Sequence, residues 1–245
     1  MKLETKNQKR YTDYSSYVKK KFGGRVQKVS INAGFTCPNI DGSKGKGGCT
    51  YCNNNTFNPE YCKPIKPISQ QIDEGITFFS QMYKSQKYLA YFQAFTNTYA
   101  PLEELKQKYE QALKHKDVIG LVIATRPDCI TNEILDYLEQ LVKDGNFIKL
   151  EFGLESTNNK TLDLINRCQT HEDAIKAFDM AKNRGILLGA HIILGLPKES
   201  KEEILSNVLA INNLPVDTLK IHHLQVVKHT MMAFQYKQDA SQFSF

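Results

Sequence analysis

Six short apolar runs, rich in β-branched residues, recur along the chain. They lie at 28–33, 89–95, 118–126, 147–155, 187–195 and 218–226. Runs of this length, bounded by polar sequence, are typical of buried strands. The pattern therefore predicts six strands.

Between these runs, apolar residues recur at helical spacing and predict helices with one buried face. The stripes are Ile68, Ile72, Ile76 and Phe79; Leu102, Leu105 and Tyr109; and Ile134, Leu138 and Leu141. Two later helices are predicted to begin with capping boxes, in which Thr170 pairs with Asp173 and Ser200 pairs with Glu203. Gly185 is predicted to cap the helix before the fifth strand.

The alternation of strands and helices predicts the fold class. The strand runs read as apolar almost throughout, which is typical of parallel strands covered on both faces and joined by right-handed crossovers. We therefore predict an α/β fold, either barrel-like or an open sheet. Because such folds carry their chemistry at the C-terminal ends of the strands, candidate residues are sought there.

Composition narrows the class of protein further. The 245 residues include 32 Lys and Arg against 26 Asp and Glu, for a net charge of +6. No apolar run approaches the length of a membrane span, and the first residues lack the apolar segment of a secretory signal, so we expect a soluble, cytoplasmic protein with no membrane contact. The basic residues Lys19, Lys20, Lys21 and Arg25 form either a solvated face or a nucleic-acid contact, and charge alone leaves both open.

Three cysteines cluster directly after the first strand run. Cys37, Cys49 and Cys52 lie within CPNIDGSKGKGGCTYC. Three thiolates bind an iron–sulfur cluster and leave one iron open to a reactant, whereas a structural zinc or an electron-carrying cluster normally takes four protein ligands. The alternative is a four-ligand site completed by Cys62 or by a histidine such as His222 or His223.

Further motifs stand at or beyond the strand ends. They are YFQAFTNT (91–98), ATRPDC (124–129), EFGLES (151–156), INRCQT (165–170) and HIILGLPKES (191–200). With the cysteines, they resemble the radical S-adenosylmethionine (SAM) superfamily, and within it the subgroup of the Elongator catalytic subunit and its bacterial relatives. That subgroup shares the long first spacing between cysteines. The resemblance implies a partial (β/α)6 TIM-like barrel of parallel strands with outer helices.

The resemblance also implies two cofactors, a 4Fe–4S cluster and SAM. Cys37, Cys49 and Cys52 match the cluster ligands. Tyr51 matches the residue beside the adenine of SAM. Arg167 matches the residue that pairs with the methionine carboxylate, a role suited to a planar bidentate donor.

Other residues match the family's remaining SAM contacts. The family's glycine-rich stretch, whose backbone receives the methionine amino group, is replaced here by Gln93, Ala94, Phe95 and Thr96. Glu155 and Ser156 match positions that approach the ribose. Ile193 and Gly195 match the segment that passes under the adenine.

Several polar residues are candidate substrate walls whose roles stay open. They are Arg126, Asp128, His191, His222 and His223. Arg126 with Asp128 forms either an internal ion pair or a substrate contact, and His191 is either a core histidine or a wall of the site.

The resemblance predicts the organisation of the chain and its activity. We expect a basic N-terminal extension at 1–27, a radical SAM core at 28–228 and a short, truncated C-terminal segment at 229–245, which would leave one face of the sixth strand poorly covered. The implied reaction is reductive cleavage of SAM to a 5′-deoxyadenosyl radical that abstracts hydrogen from an unknown substrate, with tRNA as a candidate and flavodoxin or ferredoxin as electron donor. The alternatives are a metal-bearing nucleic-acid-binding module and a four-thiolate electron carrier.

Overall fold

The computed structural model describes residues 10–54, 56–83 and 86–243. The first nine residues of the predicted N-terminal extension and the last two of the C-terminal segment lie outside the described residues. Six parallel strands form one sheet in chain order, and each pairs with the next. They are β1 Val26–Ile31, β2 Lys87–Phe92, β3 Val118–Thr125, β4 Phe147–Glu155, β5 Leu187–Leu194 and β6 Thr218–His223. This curled half-barrel confirms the predicted fold.

Helices follow the strands and surround the half-barrel. They are α1 Tyr14–Phe22, α2 Ile68–Ser80, α3 Leu102–Leu113, α4 Asn132–Lys143, α5 Asn159–Leu164, α6 His171–Ala181, α7 Lys201–Ile211 and α8 Met231–Gln238. Short 3-10 helices lie at Pro127–Cys129 and Ala240–Phe243. Within the described ranges, no helix has the length and apolar character needed to cross a bilayer.

The main core lies between the outer face of the sheet and the helices. The predicted stripes face it, since Ile72, Leu105 and Leu138 are fully buried there. Phe92 of β2 meets Tyr109 of α3 edge-on, with ring centroids 5.1 Å apart. The stripes are therefore confirmed.

The helix-start predictions hold, but one helix-end prediction is wrong. Capping boxes join Thr170 to Asp173 and Ser200 to Glu203. Helix α6 ends at Ala181, and Gly185 comes four residues later with φ of 72°. Gly185 therefore supplies the left-handed turn into β5, for which glycine is suited because it has no Cβ.

The strands alternate in polarity rather than being apolar throughout. In β4, Ile148, Leu150, Phe152 and Leu154 point into the outer core. The residues between them point the opposite way because successive side chains of a strand alternate. They are Lys149, Glu151, Gly153 and Glu155. The interior of the half-barrel is therefore polar at this strand.

Helix α1 closes the N-terminal end of the half-barrel. Phe22 packs edge-on against Phe147 at 5.2 Å, within a small inner cluster that includes Leu89 and Val122. The part of the predicted extension from Tyr14 onward thus packs against the barrel.

The edge strand β6 is the least covered strand. On its outer face, Leu219 is 40% exposed and Ile221 is 55% exposed. Helix α8 packs elsewhere, because its Met232 is buried against Leu162 and Ile165. The structure therefore agrees with the expectation that one face of the sixth strand is poorly covered.

Candidate active site

A cavity of about 360 Å³ opens at the C-terminal ends of the strands. Ten of the thirteen residues matched to the cofactor contacts line it: Cys37, Cys49, Tyr51, Cys52, Gln93, Phe95, Thr96, Glu155, Arg167 and Ile193. Of the candidate substrate walls, Arg126, His191, His222 and His223 also line it. Ala94, Ser156 and Gly195 do not line it. Most of the predicted cofactor residues therefore lie around one cavity at the C-terminal ends of the strands.

The loop that carries the cysteines folds back tightly on itself. The backbone N–H groups of Ile40 and Asp41 donate to the carbonyl of Cys37. Asn39 is fully buried, and its Nδ2 donates to the carbonyl of Asn166 at 2.5 Å. A Cβ on Gly45 would lie 2.0 Å from Asn39 Oδ1, so only glycine fits this close approach. These contacts return the chain from Cys37 to the second cysteine.

The sulfur atoms of two of the three cysteines accept hydrogen bonds from N–H donors. Cys49 Sγ accepts from Arg167 Nη1 at 3.5 Å and from Asn39 Nδ2 at 3.6 Å. Cys52 Sγ accepts from Asn54 Nδ2 at 3.4 Å. Burial, reinforced by Cys49, raises the pKa of Cys52 to about 12. Since metal coordination deprotonates a thiol, and a thiolate accepts hydrogen bonds better than a thiol, these donors suit metal-bound thiolates.

The geometry also bears on the four-ligand alternatives. Cys62 is 3% exposed and packs in the outer core, outside the cavity wall. Burial raises its pKa to about 12. Among the described residues, no three His, Cys, Asp or Glu side chains converge as they would on a single metal ion. Cys62 therefore lies apart from the three cavity cysteines, whereas His222 and His223 share the cavity wall with them.

Arg167 is the charged centre of this wall. Its Nη2 donates to the carbonyl of Gly153 at 2.7 Å and lies 3.6 Å from Glu155 Oε1. Burial works to lower the pKa of Arg167, but Tyr51, Cys49 and Glu155 together raise it well above its usual range. Its buried Nε has no hydrogen-bond partner in the protein. Arg167 also lines the cavity, and each of its terminal nitrogens carries a second N–H.

Backbone strain is concentrated around the cavity. Phe95, Glu155, Asn166 and Cys168 all have left-handed φ values, of 64°, 66°, 52° and 49°. The pairing of β4 with β5 shifts register between Gly153 and Glu155. Such conformations are uncommon for residues with a side chain and gather at functional sites. Phe95 thus adopts the turn that a glycine would adopt most easily.

Arg126 and Asp128 form an internal ion pair. Arg126 Nε and Nη2 donate to the two carboxylate oxygens at 2.8 and 2.9 Å. The same guanidinium donates to the carbonyls of Arg167 at 2.9 Å and Cys168 at 3.0 Å. Burial works against ionisation of Asp128, yet Arg126 keeps its pKa below the usual value. Of the two interpretations of Arg126, the internal ion pair is the one observed.

Another part of the cavity wall is apolar. Tyr51, Ile193 and Leu224 pack against a cluster that contains Leu162 and Leu196. An aromatic ring beside aliphatic side chains suits a planar heterocycle.

The predicted residues outside the wall have local roles. Ser156 Oγ donates to Glu199 Oε1 at 2.7 Å. Gly195 follows β5 with φ of 83°, and Ala94 is buried between two lining residues.

Comparison with known proteins establishes the family. The family model described as Radical SAM superfamily matches residues 42–209. The chain belongs to the radical SAM superfamily. Members generally use a 4Fe–4S cluster and SAM, so membership accounts for three cysteines beside a cavity.

Bacterial and archaeal proteins are similar to this chain in sequence. Protein YtqA of Bacillus subtilis is 36% identical over 236 residues, covering 96% of this chain and 73% of YtqA. A tRNA uridine(34) acetyltransferase of Methanocaldococcus infernus is 31% identical over 141 residues, covering 56% of this chain and 25% of that protein.

A solved structure shares the fold. It is the archaeal Methanocaldococcus infernus Elp3 with an N-terminal deletion, matched with a TM-score of 0.63 at 20% identity. The match covers 89% of this chain and 50% of that structure, so the chain spans about half the length of the solved protein.

Below the predicted site, this radical SAM barrel holds a charged layer that sequence reasoning missed. Glu151, 1% exposed, accepts from Lys28 at 2.6 Å and Lys149 at 2.8 Å, and its other oxygen lies 2.8 Å from His191 Nε2. Burial opposes ionisation, but His191 and the two lysines hold the pKa of Glu151 far below its usual range. The signal in the sequence was the alternation of Lys149, Glu151, Gly153 and Glu155 within an otherwise apolar run.

We predict that Glu151→Gln destabilises the protein most at neutral pH. Two buried lysines lose their counter-charge, which costs about 1–3 kcal/mol. Glu151 stays ionised in the fold, whereas in the unfolded chain it takes up a proton near its ordinary pKa of about 4.3. The wild-type advantage is therefore full well above that pKa and shrinks as the pH falls from about 5 to about 3.

Urea unfolding of both proteins across this range measures the difference. Glu103→Gln, at a side chain that is 78% exposed, is the control and should change little at any pH. An advantage that is equal at both ends of the range would contradict the role given to Glu151.

Proposed function

We propose that this protein binds a 4Fe–4S cluster at Cys37, Cys49 and Cys52, binds SAM in the adjoining cavity, and cleaves it reductively to start hydrogen abstraction. The observation that carries the proposal is the meeting of these three thiols with a buried arginine at one cavity, in a chain of the radical SAM superfamily. The donor set fits the cluster, since three thiolates leave one iron free.

The walls of the cavity support specific roles toward SAM. Arg167 would pair with the methionine carboxylate, because it lines the cavity and its two terminal nitrogens carry N–H groups beyond those given to Cys49 and Gly153. Tyr51 and Ile193 would flank the adenine from the apolar wall. Glu155, turned by the register shift at the end of β4, would approach the ribose.

The remaining family-matched residues would act on either side of these contacts. The turn of Gln93, Ala94, Phe95 and Thr96 would receive the methionine amino group. Ser156 would hold the Glu155 turn through Glu199, and Gly195 would end β5 beneath the adenine.

Cys37, Cys49 and Cys52 would hold the cluster, which when bound and reduced would supply the electron for cleavage of the sulfonium. The protein's own task is to orient and to exclude water. Arg126 fixes the backbone on which Arg167 stands, through its two carbonyl contacts. Asn39 and Asn54 donate to the sulfurs and orient the cysteine loop. His191, held by Glu151, presents its ring to the cavity.

The relatives support a class of partner. Proteins named tRNA uridine(34) acetyltransferase share 31% and 29% identity over 141 residues with this chain, and on that ground we propose tRNA as the macromolecular substrate. A flavodoxin or ferredoxin would supply the electron, and both partners imply a cytoplasmic protein. Binding of tRNA by a gel-shift assay, and its loss when Lys19, Lys20 and Lys21 are replaced by Gln, tests the contact.

The test of the proposed activity is SAM cleavage. Anaerobically reconstituted protein with a strong reductant should release 5′-deoxyadenosine and methionine slowly, even without substrate, and chromatography measures both. Iron and acid-labile sulfide analysis establishes that the cluster is loaded. A loaded protein that leaves SAM intact would favour the electron-carrier alternative.

We predict that alanine at Cys37, Cys49 or Cys52 abolishes stable cluster binding, because two thiolates do not hold a four-iron cluster. Cys62→Ala is the control, since this buried thiol lies outside the cavity. Visible absorbance and iron content measure the result. Loss of the cluster in the Cys62 variant would contradict the three-ligand site.

We predict that Arg167→Ala weakens SAM binding about ten- to hundredfold, the effect of losing a charge-assisted pair. Calorimetry on cluster-loaded protein measures the affinity. Arg167→Lys keeps the charge without the planar fork and should lie between the two.

Arg184→Ala is the control for this prediction, because Arg184 pairs with Asp136 and Glu139 on the helix surface. An unchanged affinity in the Arg167 variants, with the cluster retained, would assign Arg167 to backbone support alone.

A further inference from the structure

The inner end of the cavity holds more cations than carboxylates. Lys28 of β1, Lys149 of β4 and Lys220 of β6 face the interior around a single carboxylate, Glu151. Their formal charges sum to a surplus of two positive charges before any histidine is protonated. A surplus of cations in a partly dehydrated space is unfavourable unless an anion neutralises it.

The single carboxylate is already fully used. Both Lys28 and Lys149 donate to Glu151 Oε1, and His191 contacts Oε2. The Tyr14 ring also attracts both ammonium groups, since Lys149 Nζ lies 4.4 Å and Lys28 Nζ 4.9 Å from its centroid. These two lysines are therefore structural.

Lys220 differs from the other two lysines. It lines the cavity, and its Nζ donates to the hydroxyl of Tyr91 at 3.4 Å. No carboxylate of the described residues lies within 4.0 Å of this ammonium. His222, two positions along the same strand, lies nearer the mouth and also lines the cavity. Burial lowers the pKa of Lys220 and of His222, although Glu151 and Glu155 work to raise both.

We propose that Lys220, with His222, binds the carboxylate or phosphate group of a small-molecule reactant at the inner end of the cavity. The inference rests on the proposed function, because it names the group by which a small-molecule reactant, used together with the proposed tRNA substrate, is held beside the SAM site. Lys220 pairs in register with His191 in the middle of β5, below the strand ends. That depth favours a compact molecule over the backbone of a folded RNA.

The test compares anionic and neutral probes by calorimetry on anaerobically reconstituted protein. The anions are inorganic phosphate and succinate, and the neutral counterpart is succinamide. Wild-type protein should bind an anion and not succinamide, and Lys220→Met should weaken that binding about tenfold or more. Lys220→Arg should retain part of it, and Lys87→Met, at an exposed lysine of β2, should retain all of it.

Stability separates a binding role from a structural one. Lys149→Met should lower the melting temperature, because it breaks a buried pair with Glu151. Lys220→Met should leave it unchanged or raise it, because it removes an ammonium that has no carboxylate partner. A melting temperature lowered by Lys220→Met as much as by Lys149→Met would overturn the proposal.

Three binding outcomes would also overturn it: equal anion binding by wild type and Lys220→Met, equal binding of succinate and succinamide, or Lys220-dependent binding of a tRNA anticodon stem-loop alone. Cluster absorbance and SAM cleavage are recorded on the same samples. A protein that loads cluster and cleaves SAM yet binds no anion refutes this inference only. A protein without cluster that still binds anions through Lys220 refutes the proposed function only.

Discussion

The site depends on the hydrogen bonds that the buried guanidinium of Arg126 donates. The guanidinium pairs with Asp128, which lies just after β3, and it also donates to the carbonyls of Arg167 and Cys168. Those two carbonyls belong to a segment in which Asn166 and Cys168 are both left-handed. Without a fixed donor, such a segment would relax to easier conformations, and Arg167 would no longer face Cys49.

The cost of this strained, polar end is offset by the other face of the sheet. The outer core buries Phe92, Phe152 and Phe178 completely against helices that start at well-formed caps. Large apolar burial there lets the inner face be chosen for chemistry rather than for packing. The same separation explains why one chain can place glutamate and lysine inside a half-barrel and remain folded.

Periodicity and strand-end logic predicted the six strands, the helical stripes and the position of the cysteines, because local pattern dominates those features. The inner charged layer was not predicted, since its members are single polar residues inside runs that look apolar, and Lys28 lies 123 positions from Glu151. Gly185 was misassigned because a left-handed glycine can end a helix or begin a strand equally well. The strain at Phe95 could not be predicted, because no propensity places phenylalanine there.

The inner layer distinguishes charges that hold the fold from charges available for use. Lys28 and Lys149 have a carboxylate within hydrogen-bond distance and tyrosine rings around them, so their desolvation is compensated within the protein. Lys220 contacts the hydroxyl of Tyr91 at 3.4 Å and lies 5.6 Å from the centroid of that ring, but it faces open cavity where the other two lysines have a carboxylate. Lys220 is half-buried, so its desolvation is costly unless an anion compensates for it. The position of this ammonium beside the candidate cofactor site is therefore the structural argument for an incoming negative charge.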